Sequence, residues 1–173
     1  MLLPRLEPKV MSNTFGSLPD SLNSVKTRQL FVMRLDVKPY QVIGPAPGAI
    51  RRVGIVPGGT FQGDRLSGVV LEGGNDWQTV RADKATTLDV RLVLKTSDDA
   101  LIGMSYQGIR HGPTEVMARL DRGEVVAPDL YYFRTTPRFE TASANYDWMN
   151  RTLAIGLGFR DAGAVIYSVF EIL

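Results

Sequence analysis

Tyr106 and Arg110 stand four residues apart in LIGMSYQGIRH, and Tyr132 and Arg134 stand two apart in DLYYFRTTPRFE. Side chains at even separations share a face of an extended chain, so each segment sets a phenol beside a guanidinium. That pairing suits acid-base chemistry on an oxygenated substrate: arginine holds a carboxylate or oxyanion bidentately, and a phenol of depressed pKa donates a proton. The natural base is a carboxylate lifted toward neutrality by desolvation, and GGNDWQTVR supplies Asp76. On this reading Tyr132, Arg134, Asp76 and Tyr106 are the catalytic candidates. Trp77, Arg81, Arg110, Glu140, Trp148 and Asn150 are the ligand-binding candidates, as aromatic walls and polar anchors. The same residues also have an architectural reading, since Tyr and Trp fill sheet cores and Arg with Asp on one face makes a cross-strand ion pair.

Other chemistries are excluded by what the chain lacks. There is no cysteine and a single histidine, His111. Thiolate nucleophiles, disulfides, zinc-thiolate centres and iron-sulfur clusters are thereby ruled out, as is a histidine-rich metal site within one chain. Neither a metal nor a cofactor is expected. His111 lies between Arg110 and Gly112-Pro113, a place for a general base or for a solvent-facing loop residue. The glycines of GGTFQG, at 58, 59 and 63, lack the Lys-Ser/Thr ending of a phosphate-binding loop. A formal net charge of +2 without a block of like charges makes nucleic acid an unexpected partner. No apolar run reaches transmembrane length, and Pro4, Glu7, Pro8 and Lys9 stand where a signal peptide needs an apolar core. A cytoplasmic location without membrane contact is the expectation.

The elements that must position these groups are strands. Phe31, Met33, Leu35 and Val37 alternate with Val32, Arg34 and Asp36, the period of a strand with two unlike faces. The alternation returns over Ile50 to Val56, Leu66 to Leu71, Thr86 to Thr96, Leu101 to Arg110, Leu130 to Thr135, Thr152 to Arg160 and Ala164 to Leu173. The last two are joined as a hairpin by Asp161 to Gly163. Pro113, Val116, Leu120 and Gly123 mark one short helix, and SANYDWMN a second helical turn. About eight to ten short strands with turns between them predict an all-β fold, an antiparallel closed β-barrel, lipocalin-like in its capacity for one small ligand. Residues 1–27 read as an arm, flexible or laid across a neighbouring subunit, with Met11 an alternative start. Residues 28–173 read as one barrel domain of the length expected for a single core.

Three segments, VPGGTFQGDRLSGVVLEGGNDWQTVR, LKTSDDALI and YYFRTTPRFETASANYDWMNRTLAIGLGFR, resemble the domain-of-unknown-function 3237 family from about Leu30 to Leu173. The resemblance implies a lipocalin-like barrel, oligomeric, with no assigned function and no catalytic mechanism to carry over. It marks Gly58, Gly59, Gly63, Gly68, Gly73, Gly74, Asp76, Trp77, Arg81, Tyr132, Arg134, Trp148 and Asn150 as matching the family's pattern. Two turns depart from it, with Asp98-Asp99 and Lys84 where turn glycines are usual. Three functions compete: a metal-free, cofactor-free lyase, isomerase or cyclase acting on an aromatic or oxygenated metabolite; a non-catalytic carrier of an apolar ligand; and a homo-oligomeric structural protein.

Overall fold

The computed structural model describes residues 18–173. Most of the expected arm, and Met11 with it, lies outside the described residues. From there the chain forms β1 (Thr27–Asp36), β2 (Gln41–Ala46), β3 (Ala49–Val56), β4 (Gly58–Gln62), β5 (Ser67–Val70), β6 (Gly74–Arg81), β7 (Thr86–Thr96) and β8 (Leu101–His111). The helix α1 (Thr114–Asp121) follows, then β9 (Tyr132–Glu140), β10 (Ala154–Asp161) and β11 (Ala164–Ile172). Among the described residues no helix is long and apolar enough to cross a membrane.

Eight strands close into an antiparallel barrel in the order β7, β5, β4, β1, β11, β10, β9, β8, and the β7–β8 pairing completes the ring. The other three strands extend the wall. The end of β7 (Leu94, Lys95 and Thr96) pairs with β5, and its start (Thr86 to Arg91) pairs with β6. β3 then lies on β6, and β2 on β3. Closure leaves the ring itself without a free edge.

Strand alternation decides what the barrel contains. On β8, Ile102, Met104, Tyr106 and Arg110 are buried, and on β7 Leu88, Val90, Leu92 and Leu94 are. Phe31, Met33 and Leu35 of β1 and Val165, Tyr167 and Val169 of β11 join them in one core. The inward face of β10 is made of Ala154, Gly156 and Gly158, and this slim face makes room for bulk on β9. A Cβ on Gly158 would stand 2.5 Å from the Phe133 ring, well inside any tolerated contact, so Phe133 fills the volume that β10 gives up.

The two ends differ. At one, a 3-10 segment (Ala144–Arg151) plugs the barrel with the fully buried Met149. Glu171 there receives hydrogen bonds from Arg28 (2.7 Å) and Arg65 (2.5 Å), and Arg65 covers the Trp148 ring at 3.8 Å. At the other end lie the β1–β2 connection, the 161–163 turn and α1, whose Val116, Met117 and Leu120 pack on the core. Helix α1 falls where Pro113, Val116, Leu120 and Gly123 predict it, and Gly123 ends it with φ 81°. Lys84 and Asp99 adopt φ 68° and 66°. Both are non-glycine residues in the left-handed region, and each bears the cost of that backbone.

Candidate functional site

The α1 end of the barrel holds a polar cavity whose lining includes Tyr40, Asp76, Gln78, Tyr106, Arg110, Arg160 and Tyr167. Its volume is about 20 Å³, the room of a single water molecule. Side chains fill the barrel elsewhere, so this is where buried polar groups converge.

Asp76 reaches the cavity through the turn that precedes β6. Gly73 takes φ 98° and Gly74 lies against Leu92, where a Cβ would meet Cδ2 at 2.6 Å. From Gly74 the pleat sends Asp76 and Gln78 inward and Trp77 outward, where it is 44 % exposed. Gln78 Nε2 donates to Asp76 Oδ2 (2.6 Å), and Arg52 Nε donates to Gln78 Oε1 (2.8 Å). Asp76 Oδ1 is buried without a hydrogen-bond partner. Burial pushes the carboxyl up to about 6, against the opposing pull of Gln78, Arg110, the Asp89 backbone and Arg52. A carboxyl that gains and loses its proton near neutrality is the property a general acid or base needs.

Arg110, on the last turnover of the β8 pleat before the strand ends, is only 2 % exposed, and its Nε is buried without an acceptor. The guanidinium lies 5.6 Å from the centre of the Phe133 ring. Tyr40 comes from the β1–β2 connection. Arg52 sits over its ring at 4.1 Å, and Arg160 Nη1 donates to its hydroxyl at 3.0 Å. Burial by itself raises the Tyr40 phenol, but Arg160, Arg110, Arg52 and a hydrogen bond with Gln78 together hold it below its ordinary value. Tyr106 and Tyr167, with rings 5.4 Å apart, behave in the opposite way. Burial is the main cause that raises both phenols, and the Asp76 carboxylate adds to it. The acidified phenol of this cavity is therefore Tyr40, and Tyr106 is a correction to the expectation of a depressed pKa.

Of the residues singled out in the sequence, the structure brings together Asp76, Tyr106 and Arg110. Tyr132 and Arg134 do share a strand face, but it is the outer one. Tyr131, Phe133 and Thr135 take the buried side of that register, which leaves Tyr132 43 % exposed, stacked on His111 (5.0 Å) and beneath Arg134 (4.9 Å). Arg81 pairs with Asp83 at 2.6 Å on the surface, and Glu140 is exposed beside Gly103 on the outer wall. Trp148 and Asn150 belong to the plug at the far end, where Asn150 bonds both the amide and the carbonyl of Thr141 (2.8 and 2.9 Å). None of these six touches the cavity.

The groups missed by the sequence reading are Tyr40, Arg52, Gln78, Arg160 and Tyr167. Gln78 was available from Asp76 by the two-residue period. Arg160 continues the Ala154, Gly156, Gly158 face, and Tyr167 the Val165, Val169 face. Tyr40 sits between strands, where no period operates.

The family described as "Protein of unknown function (DUF3237)" matches residues 25–172. A "UPF0311 protein" of Rhodopseudomonas palustris is 34% identical over 87% of this chain and 98% of its own length. The crystal structure of a conserved protein of unknown function from that organism superimposes with a TM-score of 0.84 at 34% identity, covering 87% of this chain and 99% of the other. A "beta-barrel like protein" of Acinetobacter baumannii gives 0.76 at 36% identity, with 87% and 97% covered. At 20% identity, "an enzyme from Penicillium herquei" gives 0.67 over 90% of this chain and all of that one, a likeness of fold alone.

Proposed function

We propose that this chain, which belongs to the DUF3237 family of proteins of unknown function, binds a small oxygenated or aromatic metabolite at the α1 end of its barrel. There it performs acid-base chemistry without metal or redox cofactor, as a lyase, isomerase or cyclase, in the cytoplasm. The observation that carries this reading is the meeting of two unsatisfied buried atoms, Asp76 Oδ1 and Arg110 Nε, on residues lining one cavity. Native structures leave few such groups, and strain, a catalytic role, a water or a bound ligand are the explanations open to each. Asp76 is the base, Arg110 stabilises the developing oxyanion, and the protonated Asp76 carboxyl gives the proton back to the substrate. The occurrence of this architecture in an enzyme supports the reading at the level of fold only.

A cavity of 20 Å³ admits no metabolite while Tyr40 stays in place. Tyr40 belongs to a connection of four residues, 37–40, between β1 and β2, and its withdrawal opens the barrel end, as a mobile loop does in enzymes that close over substrate. The test is incubation of the protein with carboxylated and phenolic metabolites in heavy water, read by mass spectrometry. A substrate takes up deuterium at an activated carbon, or is converted to an isomer or a cleaved product, and Asp76→Asn abolishes the change. Binding without exchange in any of them favours a carrier instead.

A second reading, assembly into a homo-oligomer, is favoured by the filled interior and by an outer face that exposes Tyr132, Leu153 and Leu157. It predicts that Leu157→Glu lowers the mass measured in solution by light scattering.

A further inference from the structure

The charge balance of the cavity names the chemistry of its ligand, an inference that rests on the reading of the cavity as a binding site. Two guanidiniums line it, Arg110 and Arg160, against one carboxylate, Asp76. Among the described residues Arg110 Nε is buried and has no hydrogen-bond partner. The hydrogen bond that the Arg160 guanidinium does make goes to the phenol of Tyr40 and not to a carboxylate. Arg52, one layer out, is engaged by Gln78 at 2.8 Å and by Asp121 of α1 at 3.7 Å. Asp76 also lines the cavity, with its Oδ2 occupied by Gln78 and its Oδ1 buried without a hydrogen-bond partner.

Among the described residues Asp76 is the one carboxylate within reach of these two guanidiniums, so one buried positive charge is left over, and that is costly because it has lost its water and gained no counter-charge of its own. A neutral ligand would cover the apolar walls, Leu35, Val56, Leu88, Phe133 and Val165, and leave that surplus standing. An anion removes it. The planar fork of arginine matches the two oxygens of a carboxylate, which a lone hydroxyl or amide does not reproduce. We propose that the ligand of this site is an organic carboxylate whose carboxylate group seats on Arg110, with Arg160 as its second donor once Tyr40 withdraws, and whose apolar part lies among the five residues just named. The orphan oxygen of Asp76 then faces the atoms next to the carboxylate, where a proton to be removed would stand.

The test uses the full chain and two isosteric probes, benzoate and benzamide, in titration calorimetry. Wild-type protein is expected to bind benzoate at least about tenfold more tightly than benzamide, the scale of one charge-assisted contact. Arg110→Met is expected to abolish the preference while keeping its far-ultraviolet circular dichroism. Equal affinity for the two probes, or a preference that persists in Arg110→Met, overturns the carboxylate assignment and leaves the cavity a site for neutral ligands. Failure of wild type to bind either probe overturns both the assignment and the binding site on which it rests. Should Arg110→Met fail to fold, the ¹⁵N resonance of Arg110 Nε in wild type gives the same answer: a shift on adding benzoate and none on adding benzamide supports the seat, and no shift with benzoate refutes it.

Discussion

Replacing Asp76 by Asn should stabilise the protein at alkaline pH and leave it unchanged in acid. The carboxyl titrates at about 6 when folded, against 3.8 as its ordinary value. As pH rises past 3.8 the unfolded chain gives up this proton first, while the folded chain keeps it until about 6. The folded state therefore binds more protons across that window, and its stability falls as pH rises through it. At about 1.4 kcal/mol for each tenfold change in proton affinity, the ionised carboxylate costs the fold about 3 kcal/mol above pH 6. Asparagine keeps the shape and can still accept from Gln78, but it never ionises. We expect Asp76→Asn to gain about 1–3 kcal/mol at pH 8, the lower bound allowing for the attraction to Arg110 that is lost with the charge. In a domain of this size that raises Tm by about 3–10 °C. The assay is paired thermal unfolding of wild type and variant at pH 4 and pH 8. A lower Tm for the variant at pH 8, or the same difference at both pH values, refutes the reasoning. The gain in stability should come with loss of turnover, the trade expected of a strained functional group.

Glu171 supplies the opposite sign. Arg28 foremost, with help from Arg65, holds its carboxyl below the usual range, so its contribution is present above its ordinary pKa and lost as pH falls through the depressed one. Glu171→Gln should lower Tm at pH 7 and lower it less at pH 3, as paired melts will show. Tyr40→Phe removes the phenol that titrates earliest in the cavity, and alkaline difference absorbance should then begin at a higher pH than in wild type. Tyr132→Phe and Arg134→Met act on the outer wall and should leave benzoate affinity unchanged. A loss of affinity in either would mean that the outer face communicates with the barrel end.

The barrel was legible because its signal is local. Strand alternation in β1, β7, β8 and β11 assigns inner and outer faces from the sequence, and Pro113 and Gly123 bracket α1 by backbone preference. The site was legible in part for the same reason. Asp76 and Arg110 lie on strands whose apolar neighbours define the inward side, as Ile102, Met104 and Tyr106 do for Arg110. The β9 segment misled because Tyr131, Phe133 and Thr135 compete with Tyr132 and Arg134 for the interior, and a shift of one residue exchanges the two sets. What settled it was a tertiary fit, Phe133 packing into the space above Gly158. Tyr40 could not be found by any period, since it is set by the path of the chain between β1 and β2. Likewise the three arginines around it come from β3, β8 and β10, strands far apart in sequence that only the tertiary fold brings together.

The most direct test of the central claim is a crystal structure of the protein grown with benzoate near pH 6. The account predicts density inside the α1 end of the barrel, with the carboxylate on Arg110, the ring among Leu35, Leu88 and Phe133, and Tyr40 displaced from its position beneath Arg52. An unchanged Tyr40 over an interior without bound benzoate, with the probe absent or lodged on the outer wall beside Tyr132, would contradict it.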